Sequence, residues 1–188
     1  MKNKGLLIVY TGASGVGKGT IMKKLLASDP NLRLSISATT RAPRAGEQDG
    51  REYYFVTHER FDELIANDGF LEHAEYVGNK YGTPKEPLFR MLDEGLDVML
   101  EIEVKGFLQV KRAYPECVSI FIAPPSFEEL RLRLEGRGTE SPEVIEERLR
   151  TARKEHEYES EFDYIVINDD VDRAAAEVLS IINDIKSK

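Results

Sequence analysis

The chain has 188 residues, 41% of them hydrophobic and 32% charged, enough to close one sizeable core beneath a well-solvated surface. Its 34 acidic residues against 26 basic ones give a net charge of -8, which repels a polyphosphate backbone and argues against a nucleic-acid partner. No apolar stretch approaches the ~20 residues of a bilayer span, and the N-terminal apolar run is too short for a signal peptide and lacks a cleavage site, so no membrane partner and a cytoplasmic location are expected.

The first apolar run, Leu6 to Tyr10, has the composition of a buried parallel strand. Directly after it comes Gly12-Ala13-Ser14-Gly15-Val16-Gly17-Lys18, followed by a helix-like stretch over 18–28. A glycine-rich turn alone often has only a steric purpose. Between a strand and a helix, with a lysine at its end, it is a P-loop: backbone N–H groups curl around phosphate oxygens, the helix N-terminus adds a positive dipole end, and Lys18 neutralises the β and γ phosphates. The residue after Lys18 is Gly19, where the general pattern has a Ser or Thr that touches magnesium. Thr20 is the nearest hydroxyl, so two arrangements stay open. Either Thr20 contacts the ion, or ATP phosphates and water hold it with Glu101 or Glu103 further out.

Further strands are predicted at Leu34 to Ser37, Asp97 to Ile102, Val118 to Ile122 and Tyr164 to Ile167, with helices near 84–94, 104–113, 126–135, 142–159 and 171–186. Ser126 with Glu129 reads as a capping box, and Ser141 before Pro142 as a helix start. The alternation predicts an α/β fold of the P-loop NTPase type, a parallel sheet flanked by helices. From about 40 to 83 it breaks: a polar, turn-rich run from Arg41 to Arg51 precedes Tyr53-Tyr54-Phe55-Val56, read as hairpin-like strands around a short helix near 58–67. This is an inserted mixed-β lobe. Glu135 to Thr139 has the glycine and charge content of a flexible loop. Cys117, the single cysteine, reads as a small buried thiol, and His58, His73 and His156 show no metal-ligand spacing.

The insert carries Ser37-Ala38-Thr39-Thr40-Arg41-Ala42-Pro43-Arg44-Ala45-Gly46-Glu47 and continues through Asp49-Gly50-Arg51-Glu52-Tyr53-Tyr54-Phe55. With Glu72, Tyr81-Gly82-Thr83, Leu100 to Glu103, Ile122 to Ser126, Arg137 to Glu140 and Asn168-Asp169, these motifs resemble the guanylate kinases from the P-loop almost to the C-terminus. The resemblance implies transfer of the ATP γ-phosphoryl group to GMP with Mg2+, dGMP being a further acceptor. It also implies one domain over 1–188: a core of 1–36, 84–125 and 160–188, a GMP-binding lobe at about 37–83 and a mobile lid at about 126–159. A monomer or small homo-oligomer is expected.

Guanidinium forks and phenolic hydroxyls suit a monophosphate, and the resemblance assigns Arg41, Arg44, Tyr53 and Tyr81 to it. It assigns Ser37, Glu72, Thr83 and Glu103 to the guanine ring, although the family often has Asp at the place of Glu103. On the ATP side it implies Gly12 to Thr20, Arg133, Arg137 and Asn168. Lys18, Arg44, Arg137 and Arg148 are the catalytic candidates, since phosphoryl transfer needs positioning and charge stabilisation rather than a side-chain nucleophile. Arg148 also suits a solvated helix with a Glu146–Arg150 pair, and Asn168 also suits a strand-terminal turn. Two other readings remain: a binding module that keeps this fold to hold a partner protein, which would be expected to lose Lys18 or the lid arginines, and a P-loop kinase with a different acceptor.

Overall fold

A computed structural model of the chain describes residues 4–136, 138 and 140–187. The apolar runs become strands β1 (Leu7–Gly12), β2 (Leu32–Leu34), β7 (Asp97–Glu101), β8 (Val118–Ala123) and β9 (Tyr164–Ile167) of one five-stranded parallel sheet, in the order β2-β7-β1-β8-β9. Every residue of β1 and β8 is buried, which is why those strands read as continuous apolar runs without alternation. β2 lies two residues N-terminal of the predicted strand, because Leu32 to Leu34 pair with Asp97 to Met99.

The residues fall into two compact units that share β1, one made of 4–9 and 31–118, the other of 10–30 and 119–187. In the second unit, α1 (Lys18–Ser28) and α7 (Val171–Lys186) lie against each other, and α7 buries Ala174, Ala175, Val178 and Ile182 at helical spacing. α5 (Phe127–Gly136) and α6 (Pro142–His156) also pack together. The Glu129 N–H donates to Ser126 Oγ at 3.0 Å, but the Glu129 carboxylate turns to Arg133, so only half of the expected capping box forms. Ser141 caps α6 as read, and the predicted long helix stops at His156, with a 3-10 turn over Glu159–Glu161.

The first unit holds α3 (Lys85–Asp93), α4 (Val104–Ala113) and a second, four-stranded sheet. That sheet corrects the hairpin expected at Tyr53 to Val56. β4 (Tyr54–Phe55) instead runs parallel to β3 (Ala38–Thr39), the long polar segment between them returning the chain in the same direction. The hairpin is β5 (Phe70–Tyr76) with β6 (Asn79–Pro84), and α2 (His58–Ala66) precedes it, capped by Thr57. A small core lies beneath this sheet, with Phe61 stacked on Phe70 at 4.4 Å between ring centroids and Tyr54, Val56 and Leu64 around them.

The two residues between β5 and β6, Val77 and Gly78, have φ of 49° and 71°. Positive φ at both positions is the I′ hairpin turn, which favours Asn-Gly and penalises a β-branched residue. Val77 is 78% exposed and makes no packing contribution to set against that strain. Val77→Asn should stabilise the fold by about 1 kcal/mol, raising the melting temperature by about 2–4 °C for a chain of this size. Calorimetry of the purified variant checks this, and an unchanged or lower transition contradicts it.

Candidate functional site

On the donor side, the P-loop opens α1 through Gly17, which sits in the left-handed region at φ 98°. A Cβ there would be strained and would come within 2.7 Å of Asn168 Nδ2. No side chain caps this helix start and no acidic residue lies in its first turn, whereas α2, α6 and α7 each have a side-chain cap and an acidic first-turn residue. Its positive dipole end is thus left for an anion. Lys18 folds back over the loop, its Nζ donating to the carbonyls of Gly12 at 2.5 Å and Ala13 at 3.1 Å. Thr20 is exposed on the first turn of α1.

Other elements brace this loop. Asn168, at the end of β9, is 2% exposed and donates from Nδ2 to the Val16 carbonyl at 2.7 Å. Arg133 donates to the Asn168 carbonyl at 2.9 Å and pairs with Glu129 at 3.0 Å. From α6, Arg148 donates to Ser14 Oγ at 3.1 Å and pairs with Glu140 at 2.6 Å. Arg148 is therefore at the P-loop and not merely on a solvated helix face. Glu146 pairs with Arg131 of α5 at 2.5 Å, in place of the expected partner Arg150. Arg137 lies outside the described residues.

The acceptor-side residues gather in the first unit. Arg41 makes two parallel hydrogen bonds to Glu47, each 3.0 Å, and its guanidinium lies 5.4 Å from the Tyr53 ring centroid. Tyr53 meets Tyr81 edge to face at 6.2 Å. Glu47 also accepts from the Arg44 backbone N–H at 2.7 Å, and these donors, Arg41 first, hold its carboxyl below the usual glutamate range. The sequence reading did not assign Glu47 a role, although its place three residues after Arg44 in the same tight turn was the available signal. The Arg44 side chain is exposed, and Ser37 contributes its carbonyl to the Tyr54 N–H.

Glu72 is 6% exposed, and Thr83, its cross-strand partner, donates to it at 2.7 Å. The β5–β6 register shifts between Phe70 and Glu72, a bulge that breaks alternation and turns Phe70, Leu71 and Glu72 all inward. Burial pushes the Glu72 carboxyl above the usual range, against the hydrogen bonds from Thr83, and the charge of Glu103 adds to the rise. Glu103 is exposed at the N-cap of α4. Among the described residues, no group of three or more His, Cys, Asp or Glu is placed to hold a metal ion.

A P-loop with its lysine at an uncapped helix start, on a parallel sheet of this order, defines a nucleotide-phosphate-binding α/β protein. The guanylate kinase family model matches residues 4–185. The chain is 54% identical over 182 residues to the guanylate kinases of Lactococcus lactis and Caldanaerobacter subterraneus, covering 97% of this chain and 89% and 88% of theirs. The crystal structure of guanylate kinase from Anaplasma phagocytophilum superposes with a TM-score of 0.78 at 35% identity, covering 100% of this chain and 89% of that one. The chain belongs to the guanylate kinase family, phosphotransferases that phosphorylate GMP with ATP and Mg2+ to give GDP.

Proposed function

We propose that this chain transfers the ATP γ-phosphoryl group to GMP through the residues just described, and that Glu72 is its reader of guanine. The observation that carries the reading is the buried Glu72 carboxylate, partnered by the Thr83 hydroxyl. A carboxylate accepts from guanine N1–H and N2–H₂ together, whereas adenine N1 presents a lone pair to the same charge. Ser37, Thr83 and Glu103 complete the base side. Arg41, Arg44, Tyr53 and Tyr81 take the GMP phosphate, with Glu47 holding the Arg41 fork beside Tyr53 in readiness for it. None of these roles involves the ribose 2′-hydroxyl, so dGMP is an acceptor as well.

Gly12, Ala13, Ser14, Gly15, Val16, Gly17, Gly19 and Thr20 form the cradle of the ATP phosphates, the Val16 and Thr20 N–H groups shaping it by donating to the Ala13 and Gly17 carbonyls. Lys18 moves from its own loop carbonyls to the β and γ oxygens. Arg148 and, by family resemblance, Arg137 stabilise charge on the transferred group, and Arg44 steadies the attacking phosphate. Asn168 and Arg133 act by fixing the loop they brace. Segments 37–83 and 126–159 close over the two nucleotides, excluding water. The protein works in the cytoplasm as a monomer or small homo-oligomer, with neither nucleic acid nor membrane as partner; no helix among the described residues is long and apolar enough to cross a membrane.

The Thr20 hydroxyl, a hard oxygen donor exposed two residues after Lys18, fits a magnesium ion that keeps most of its waters and binds ATP phosphates. The ion supplies charge neutralisation on the β and γ phosphates. With ATP labelled on its γ-phosphate, label should reach the β-phosphate of GDP only when GMP and magnesium are both present, and unlabelled GDP would overturn the reaction. In the same assay Thr20→Val should raise the magnesium needed for half-maximal rate severalfold. An unchanged requirement would assign the ion to phosphates and water.

A further inference from the structure

The first turns of α4 carry three residues at a spacing of three: Glu103 at the N-cap, then Gly106 and Gln109. Such residues share one face of a helix, and this helix packs on β5, the strand that bears Glu72. Gly106 is a buried glycine inside a helix, where glycine is an unfavourable choice without a steric reason. A Cβ built there would stand 2.9 Å from Glu72 Oε2 and 3.4 Å from Glu72 Cδ, with Ile102 Cδ1 at 3.3 Å. Gln109, one turn on, accepts from the His73 N–H at 3.2 Å and donates to the His73 carbonyl at 2.9 Å, pinning the backbone next to Glu72.

We infer that α4 is the positioning element of the acceptor site, Gly106 leaving the space that the Glu72 carboxylate fills and Gln109 fixing the strand that carries it. This rests on Glu72 reading guanine. A methyl group at position 106 meets the end of a flexible side chain rather than backbone, so what yields is the carboxylate, while the helix itself gains a better former. Recognition is lost and the fold is not.

Steady-state kinetics of the full chain, with melting temperatures, test the inference in Gly106→Ala, Gln109→Ala, Glu72→Gln, Glu72→Asp and the double variant Gly106→Ala/Glu72→Asp. Gly106→Ala should raise the KM for GMP about tenfold or more, since the new methyl pushes the carboxylate off the place from which it can accept both guanine donors. The KM for ATP should stay within about twofold and the melting temperature should not fall. In the Glu72→Asp background, where the shorter carboxylate is withdrawn from the new methyl, Gly106→Ala should cost much less, the non-additivity of two groups in contact. Gln109→Ala should raise the KM for GMP severalfold without moving that for ATP, and it tests the inference should Gly106→Ala not fold. If Glu72→Gln leaves the KM for GMP unchanged, the reading of Glu72 fails and this inference with it. If Glu72→Gln is impaired while Gly106→Ala is not, or the pair is additive, or Gln109→Ala is silent, the positioning role of α4 is overturned and the reading of Glu72 stands.

Discussion

Lys18→Met should lower kcat by about 10³-fold or more, equivalent to about 4 kcal/mol of lost transition-state stabilisation. Lys18 is the cation at the mouth of the P-loop, already in hydrogen-bond contact with the Gly12 and Ala13 carbonyls and mounted on the first residue of a helix whose N-terminus has no side-chain cap. In a loose phosphoryl-transfer transition state the protein has little covalent chemistry to perform, so removing one fixed charge removes a large share of what it does. GMP affinity should stay within a few-fold, because the acceptor residues belong to the other unit. Rapid-quench measurement of the transfer step, with calorimetric titration of GMP, separates the effects. A variant with normal transfer rates would show that Lys18 is only a loop clasp.

Glu72→Gln should lower kcat/KM for GMP by about 10²-fold or more, since an amide N–H₂ then faces the guanine donors where a carboxylate oxygen accepted them. The same substitution should stabilise the free protein at neutral pH. Burial raises the Glu72 carboxyl above its unfolded value, so the folded chain favours the protonated form, and the associated stability is present below the unfolded value of 4.5 and lost as pH rises through the folded one. At pH 7 the ionised carboxylate opposes folding. The variant should therefore melt higher than the parent there, with the difference shrinking as the pH falls through the folded value toward 4.5 and gone below it. A site that trades stability for recognition behaves this way. A variant that melts lower at pH 7 and uses GMP normally would make Glu72 a structural carboxylate.

The core strands were legible because a fully buried parallel strand has a one-dimensional signature: β1 and β8 are buried at every position, and β7 keeps an apolar Val98-Met99-Leu100 centre between two charged ends. The P-loop was legible for a similar reason, its strand, glycines, lysine and helix being contiguous. The four-stranded sheet was harder. Its hairpin turns at Val77-Gly78 without the usual Asn or Asp in first place, and the bulge at Leu71 erases the alternation that would have revealed β5. Residue type pointed to Arg41 and the family resemblance to Glu72, but neither to how they are held. The Glu47 carboxylate under Arg41 is a short-range partner hidden in a loop, while Gly106 and Gln109 meet Glu72 and His73 across more than thirty residues. Nothing local records such contacts.

The measurement that bears most directly on the whole account is ADP formation from ATP and magnesium with GMP, AMP, CMP or UMP as the acceptor, in the parent and in Glu72→Gln. The account predicts rapid turnover with GMP, negligible turnover with the other three, and a collapse of the GMP rate in the variant. Turnover with none of them would make the chain a binding module on a kinase fold, and an equal or greater rate with AMP would contradict the reading of Glu72.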